Sequence, residues 1–600
     1  MNIGLRQICA AVAMLNIVLV GCGDKTTPQE THNPQAVVHR KVADQTQTIK
    51  KNREAASKER AEIFFHSMQS ESGIHFRHVS GNSKEKAFPA ANGSGLAAFD
   101  ADMDGYVDLY FGNGAQFPVD SERDSSFDEF YRNLGDWRFS DATELAGFRN
   151  PNYTTGVEYG DFNCDGFPDV YATSVGHNQL YLNLGDGTFA DVSAASRTDD
   201  PRWATSAAFV DIDNDGLLDL YVCNYGQWTF ETNQYCGDKA RGIRMFCSPT
   251  MVPSENDVLF KNLGDGTFED YSEASGILVH NGRGQGVIAL ELNDDAATEV
   301  YVSNDINPNF LFLGDGHGHF TEVGELSGAA FDHSGQAQAG MGLAAGDVDR
   351  NGHFDLFVTN YQNEHNALYE NLGNGIFLET GITRVPEGSL PYVGWGTALE
   401  DFDLDGWLDL IVTNGHTDEN LAELGKEGVY LQPPGLWKNR NGRFRLLEND
   451  RGLYFDELHN GRGLAVADLD NDGDSDVAIG HQNDHPGLLR NDSVETPLEK
   501  MIWLRLVDGS GNRNAIGAVI EQLNVGLPVR RTISGGGSYA SASDRRVMIA
   551  IDNAPLASLK ITWPDGLSST VDGLQAGTGF VIVRSAESGR PVRIVRIKDP

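Results

Sequence analysis

Six stretches of the chain place oxygen-bearing side chains at positions 1, 3, 5 and 9 of a nine-residue pattern with glycine at position 6. They are Asp100, Asp102, Asp104 and Asp108; Asp161, Asn163, Asp165 and Asp169; Asp211, Asp213, Asp215 and Asp219; Asp347, Asp349, Asn351 and Asp355; Asp401, Asp403, Asp405 and Asp409; and Asp468, Asp470, Asp472 and Asp476. Oxygens at this spacing, with a glycine taking the sharp turn among them, suit a hard cation of six to eight ligands. That cation is calcium, because magnesium keeps its own waters and a strict octahedron. A seventh stretch, Glu291, Asn293, Asp295 and Glu299, holds the register but carries Ala296 in place of the glycine. Alanine resists the positive φ of that turn, so a solvated acidic turn is the preferred reading there.

Apolar strand formers such as Leu220 to Asn224 follow each loop, so the loop joins two strands. A second signature comes several residues later, clearest at Asn183 to Phe189 and Asn262 to Phe268, and its Gly-Asp-Gly core marks a hairpin. One repeat therefore reads as strand, cation loop, strand, strand, hairpin, strand. Seven such units predict an all-β fold: a seven-bladed β-propeller over residues 63–495 with calcium loops in its blades, followed by a small β-rich C-terminal domain over 500–585 and a tail, 586–600. Phe65 and Gly73 repeat a spacing found at Phe139/Gly147, Phe268/Gly276, Phe320/Gly328 and Phe444/Gly452, where the last strand of a repeat is expected to end. The seventh repeat stops at Asn491 without a last strand of its own. Residues 64–74 are accordingly expected to supply it and leave no open sheet edge.

The 600 residues carry 46 Lys+Arg against 86 Asp+Glu, a net charge of −40, which argues against a nucleic-acid partner. No apolar run reaches the roughly 18 residues of a membrane span. Arg6 precedes an apolar stretch, Ile8 to Val20, with the layout of a secretory signal over residues 1–21. Cys22 directly after Leu19-Val20-Gly21 resembles the bacterial lipobox, in which that cysteine is lipidated and becomes the new amino terminus. Several acyl chains on one residue give stable anchoring. Residues 22–62 are too poor in large apolar side chains to order themselves and read as a disordered tether. The expected location is the bacterial cell envelope, at the outer membrane or cell surface. In that oxidising setting Cys236 and Cys247, in the long insertion of the third repeat, are expected to pair. Cys164 and Cys223 read as small buried residues.

The Asp-x-Asp-x-Asp-Gly-x-x-Asp repeats resemble the FG-GAP repeats of integrin α-subunit propellers, over residues 64 to about 492. In the tail, Asn512 to Ala518, Gly535 to Ser541 and Trp563 to Gly566 resemble the signatures of the ASPIC/UnbV domain, found with FG-GAP repeats in bacterial lipoproteins. The second stretch departs from that family's Gly-x-Gly-Tyr-x-Ser pattern by extra small residues. The resemblance implies calcium binding and extracellular interaction, and no reaction. Read by itself, the tail offers short strands at Trp503 to Val507, Val547 to Ile551 and Phe580 to Val583, suited to a small sandwich or barrel. Gly535 to Gly537 reads as a flexible turn, because no Lys-Ser/Thr and no helix follow to make a phosphate loop.

In such blades the calcium loops occupy one end. The opposite rim begins at Asn113, Asn224, Asn304, Asn360 and Asn414, read first as turn caps that bond local backbone. Near them Trp203, Tyr225, Trp228, Asp305, Tyr361, Trp395, His416 and His481 set aromatic faces beside polar groups, an arrangement that suits sugars or peptides. The function expected is a calcium-stabilised, envelope-anchored binding or adhesion scaffold whose partner is an extracellular polysaccharide or an envelope protein. The alternative is a propeller enzyme acting on extracellular polymers through His177, His416 or His481. Spacing identifies no acid–base pair, and Cys-x-x-Cys, His-Glu-x-x-His and Gly-x-Ser-x-Gly are all missing.

Overall fold

Every acidic loop hands the chain from one antiparallel strand to the next, and its ninth-position carboxylate is the first residue of the second strand. The computed structural model describes residues 62–120, 127–279, 281–523, 525–527, 529–551, 556–587 and 590–597. The secretory signal, Cys22 and all but the last residue of the tether lie outside them. Among the described residues, no helix is long and apolar enough to cross a membrane.

The repeats form seven antiparallel sheets. Sheet 1 runs Leu96–Phe99, Asp108–Phe111, Glu129–Asn133, Phe139–Asp141, and sheet 2 runs Tyr153–Gly160, Asp169–Val175, Gln179–Asn183, Phe189–Asp191. Sheet 3 is Ala204–Val210, Asp219–Asn224, Val258–Asn262, Phe268–Asp270; sheet 4 is Gly284–Leu290, Glu299–Asn304, Phe310–Gly314, Phe320–Glu322. Sheet 5 is Leu343–Gly346, Asp355–Val358, Ala367–Asn371, Phe377–Glu379, and sheet 6 is Gly394–Glu400, Asp409–Asn414, Gly435–Asn439, Phe444–Leu446. Sheet 7 takes Gly461–Ala467, Asp476–His481 and Gly487–Asn491 from its own repeat and its outer strand, Phe65–Ser67, from the far end of the sequence, with Phe65 opposite Asn491. First strands of consecutive sheets touch, and that of sheet 7 also touches that of sheet 1.

Stacking explains why the strands read as unbroken apolar runs. Leu220 and Val222 enter a core shared with sheet 2, whereas Tyr221 and Cys223, on the other face, enter a core shared with sheet 4. The Phe–Gly spacing has a different origin from the one expected. After the fourth strand comes a one-turn helix, as at Thr143–Ala146, Ser272–Ser275 and Gly324–Ser327, and Gly147, Gly276 and Gly328 cap it in the left-handed conformation.

A bracket of asparagines ties the sheets together. The last residue of the third strand donates its Nδ2 to the second-position carbonyl of the preceding sheet's loop: Asn183 to Ala101, Asn262 to Phe162, Asn371 to Leu292, Asn439 to Val348 and Asn491 to Phe402, all at 2.8–2.9 Å. Asn133 of sheet 1 does the same to Leu469 of sheet 7, at 2.8 Å. Sheet 4 has Gly314 at this position and lacks the bracket. Asn262 also donates to Leu218 O and caps the Gly264 amide through Oδ1. The variant Asn262→Leu leaves these buried groups unpaired and is expected to cost about 3 kcal/mol of unfolding free energy. Urea denaturation measures it, and a change below about 0.5 kcal/mol, the scale of an ordinary surface substitution, would remove the bracket from the stability account.

The C-terminal module is two four-stranded sheets. In one, Met501–Asp508 lies between Val547–Ala550 and Thr578–Arg584; in the other, Val519–Leu523 lies between Val529–Thr532 and Leu556–Thr562, with Ser568–Gln575 outside. The tail does not end the fold at residue 585, because Arg593–Ile597 adds an outer strand beside Thr578–Arg584. The module's core is continuous with that of sheets 2 and 3.

Gly535 to Gly537 is not a flexible turn. Gly535 and Gly536 pair with Ala289 and Ile288 of sheet 4, Ser538 with Leu343 of sheet 5, and Ala542 with Ala97 of sheet 1. Ala540 accepts from the Val157 amide of sheet 2 and donates to Ser206 of sheet 3. The Ser538 hydroxyl accepts from Thr397 of sheet 6 and the Ser543 hydroxyl from Val466 of sheet 7. One segment thus bonds the first strand of all seven sheets. Small residues are required by proximity: a Cβ on Gly535 would lie 1.9 Å from the Phe209 carbonyl oxygen.

Candidate functional site

The acidic loops share one local design. The first carboxylate accepts the backbone N–H groups of positions 5 and 6, as Asp161 does from Asp165 at 3.0 Å and Gly166 at 2.8 Å, and Asp347, Asp401 and Asp468 do likewise. The ninth carboxylate accepts from position 2 and from the backbone amide of the bracket asparagine, as Asp219 does from Ile212 at 3.0 Å and Asn262 at 2.8 Å, whereas Asp409 accepts from Asn439 alone. The sixth-position glycines hold φ between 85° and 101°. A Cβ at Gly105 or Gly352 would meet nothing within 4 Å, so the demand for glycine is conformational. Position 4 is also left-handed, at Met103, Cys164, Asn214, Arg350, Leu404 and Asn471, and of these residue types only asparagine favours that conformation. Ala296 adopts φ 70°, so the alanine does not forbid the turn in the seventh loop.

These constraints gather the carboxylates. Asp100, Asp102 and Asp104; Asp211, Asp213 and Asp219; Asp347, Asp349 and Asp355; Asp401, Asp403 and Asp409; and Asp468, Asp470 and Asp476 each bring three ligand oxygens within 4.8 Å of one another and could hold a metal ion. The loop of sheet 2 offers an amide, Asn163, at position 3 instead. Burial first, and neighbouring carboxylates after it, push Asp211, Asp401 and Asp468 up to about 7. Asp211 Oδ1, Asp213 Oδ1, Asp403 Oδ1 and Asp409 Oδ2 are buried without a hydrogen-bond partner. Crowded anionic oxygens left over after the local bonds are made fit a hard cation. The C-terminal module sits over this end of the sheets, with Arg513 3.7 Å from Asp161, Arg531 3.8 Å from Asp401, and Asn514 accepting from the Asp161 amide.

The opposite strand ends differ from an open aromatic rim. Tyr225, Asp305, Trp395, His416 and His481 are buried. Residues 76–94 pass over these ends: Phe88 packs on Trp203 and Tyr225, Ala91 O accepts from Arg462, and Ala90 O from Gln482. The insertion carrying the Cys236–Cys247 disulfide reaches the 416–432 loop, where Asp418 accepts from the Phe246 amide. Tyr225 donates to Asp305 at 2.6 Å, and Trp395 donates to Gly415 O beneath the Arg462 guanidinium, 4.0 Å from its ring. His416 bonds Tyr361 and the Asp418 amide, and His481 bonds Tyr454 and His485 O, so both imidazoles have both nitrogens engaged. Burial lowers His416 to about 4 and His481 to about 3, holding them neutral. His177 is exposed, 3.7 Å from Asp199. The asparagines cap turns: Asn113, Asn224, Asn304, Asn360 and Asn414 donate to nearby loop carbonyls.

What stays accessible is narrower. Tyr361 is half-buried, and Trp228 with the covered Trp203 lines a cleft of about 550 Å³. Gln227, Thr229, Gln234, Arg202 and Glu255 supply its polar groups. Sequence spacing pointed to the two tryptophans but not to the cleft, whose far wall, Met251 to Pro253, comes from the insertion.

Comparison with known proteins adds to this geometry. The FG-GAP-like repeat family matches residues 100–172, 161–222, 291–358 and 347–412, and the ASPIC and UnbV family matches residues 508–589. Cartilage acidic protein 1 of Xenopus tropicalis is 25% identical over 307 residues, 47% of this chain and 42% of that protein. The Homo sapiens protein of the same name is 24% identical over 312 residues, 50% of this chain and 43% of its own length. The matched stretch therefore spans less than half of these relatives. Among solved structures, an Agrocybe aegerita lectin aligns over 67% of this chain and 90% of its own, at 14% identity and a TM-score of 0.33.

Proposed function

This chain carries FG-GAP-like repeats and an ASPIC and UnbV domain, and from that premise we propose that it is a calcium-stabilised binding or adhesion scaffold held at the bacterial cell envelope. Its seven sheets are the blades of a closed propeller. The strand Phe65–Ser67 in sheet 7 and the Asn133 to Leu469 bracket between sheets 1 and 7 support closure. Calcium is the ion of the loops; the all-oxygen ligand sets and the unpartnered Asp oxygens support that choice over softer metals. A lipid on Cys22 holds the protein to the membrane, and residues 23–62 give the folded part reach.

The cleft beside Trp228 carries the binding assignment. It lies at the strand ends away from the metal loops, so a ligand there leaves the calcium sites undisturbed. The half-buried Trp228 indole, among amide and hydroxyl groups, fits a sugar ring of an extracellular polysaccharide or an aromatic or aliphatic residue of an envelope protein. Trp228→Ala is expected to reduce capture on an array of surface polysaccharides and envelope proteins by about tenfold or more, the loss of one aromatic anchor. Its melting curve in calcium should match that of the unaltered protein. Equal capture by the variant would place the ligand elsewhere on the molecule.

A further inference from the structure

The last-but-one residue of each sheet's third strand follows the residue at loop position 3. Where position 3 is an amide, Asn163 or Asn293, the strand residue is Leu182 or Leu313. Where it is a carboxylate, a charged residue stands there instead: Arg132, Lys261, Glu370, Lys438 or Arg490. Three of these reach the loop directly, in ion pairs of Arg132 with Asp102, Lys261 with Asp213 and Lys438 with Asp403. In the other two the third position is served from elsewhere: Arg384 approaches Asp349 to 4.0 Å while pairing with Glu370, and Trp137 Nε1 donates to Asp470 at 2.7 Å.

Lys438 goes furthest. Its side chain is only 6% exposed, and Nζ bonds Asp403 and, at 2.8 Å, Asp405 as well. It therefore contacts two of the four side chains that a metal in this loop would use. An ammonium is a compact charge with three donors and no acceptor. Placed among carboxylates, it does what a bound cation does: it neutralises them and fixes their directions.

Building on the calcium reading above, we propose that Lys438 is a built-in cation of the sheet 6 loop that competes there with metal, so that the six intact loops do not take up calcium equally. Lys261, which is 22% exposed and pairs with Asp213 alone, makes the sheet 3 loop a weaker version of the same device. The sheet 2 loop, with Asn163 and Leu182, has no cation from its own third strand, and Arg513 of the C-terminal module stands 3.7 Å from its Asp161.

The test counts calcium ions bound to the full folded chain by native mass spectrometry at fixed free calcium, for the unaltered protein and for Lys438→Met. The variant is expected to bind one ion more and to need that ion for its full melting temperature. Lys438→Gln, shorter and polar, repeats the measurement should the methionine variant fold poorly. Leu182→Met should leave the count unchanged. Equal counts for the unaltered protein and both Lys438 variants, or a loss of one ion in them, would overturn the proposal. Equality at six ions overturns it while leaving calcium stabilisation standing; equality at zero overturns both.

Discussion

Removing calcium with EGTA is expected to abolish the cooperative thermal transition of this protein, or to lower its midpoint by more than about 20 °C. Each ligand that binds only the folded state adds about 2.7 kcal/mol at a hundred times its dissociation constant. Four occupied loops would then supply about 10 kcal/mol, comparable to the whole stability of an ordinary domain. Without metal, crowded buried carboxylates such as Asp468, Asp470 and Asp476 repel one another or must take up protons, as the rise of Asp468 to about 7 expresses. Differential scanning calorimetry with and without chelator decides the matter. Restored calcium should return the transition, and equal magnesium should return little of it. A melting curve indifferent to EGTA would remove metal from the account of stability.

Gly535→Val is the substitution expected to do most damage per atom. The first added carbon would lie 1.9 Å from the Phe209 carbonyl, an atom of a buried strand that cannot yield as a flexible side chain would. The segment must then lift away, and the pairings of Gly535 and Gly536 with sheet 4 and of Ser538 with sheet 5 go with it. A loss of about 4 kcal/mol or more is expected, the tail of the distribution for single substitutions, together with new protease cleavage between residues 530 and 550. Gly526→Val, where an added Cβ meets nothing within 4 Å, is the matched control and should be silent. Equal stability of the two variants would mean that the segment only rests on the seven sheets.

Much of this architecture is legible in the sequence because its cause is local. Asp161-Phe-Asn-Cys-Asp-Gly166 dictates its own turn through bonds within six residues, and the apolar run at Leu220 dictates a strand buried on both faces. The misjudged parts depend on residues far away in the chain. Asn262 looked like a hairpin residue, and its reach to Phe162, a hundred positions earlier, has no local signature. The aromatic rim looked open because residues 76–94, which cover it, carry no repeat pattern to show where they fold. Ala296 shows the converse: a local preference against positive φ is overruled by a loop held at both ends by strands.

The segment that bonds all seven sheets is translated after every one of them. A nascent chain leaving the ribosome can form sheets 1 to 6 one after another, but their first strands lack this shared partner until Gly535 to Asp544 emerge. Phe65–Ser67 waits as well, for its partner strand in sheet 7 is made more than four hundred residues later. Both joints pair residues of large sequence separation, the kind of contact that slows folding and leaves strand edges exposed meanwhile. Translation halted anywhere before Asp544 therefore leaves the first strands without the segment that joins them, so the bonds that tie the seven sheets together are completed late.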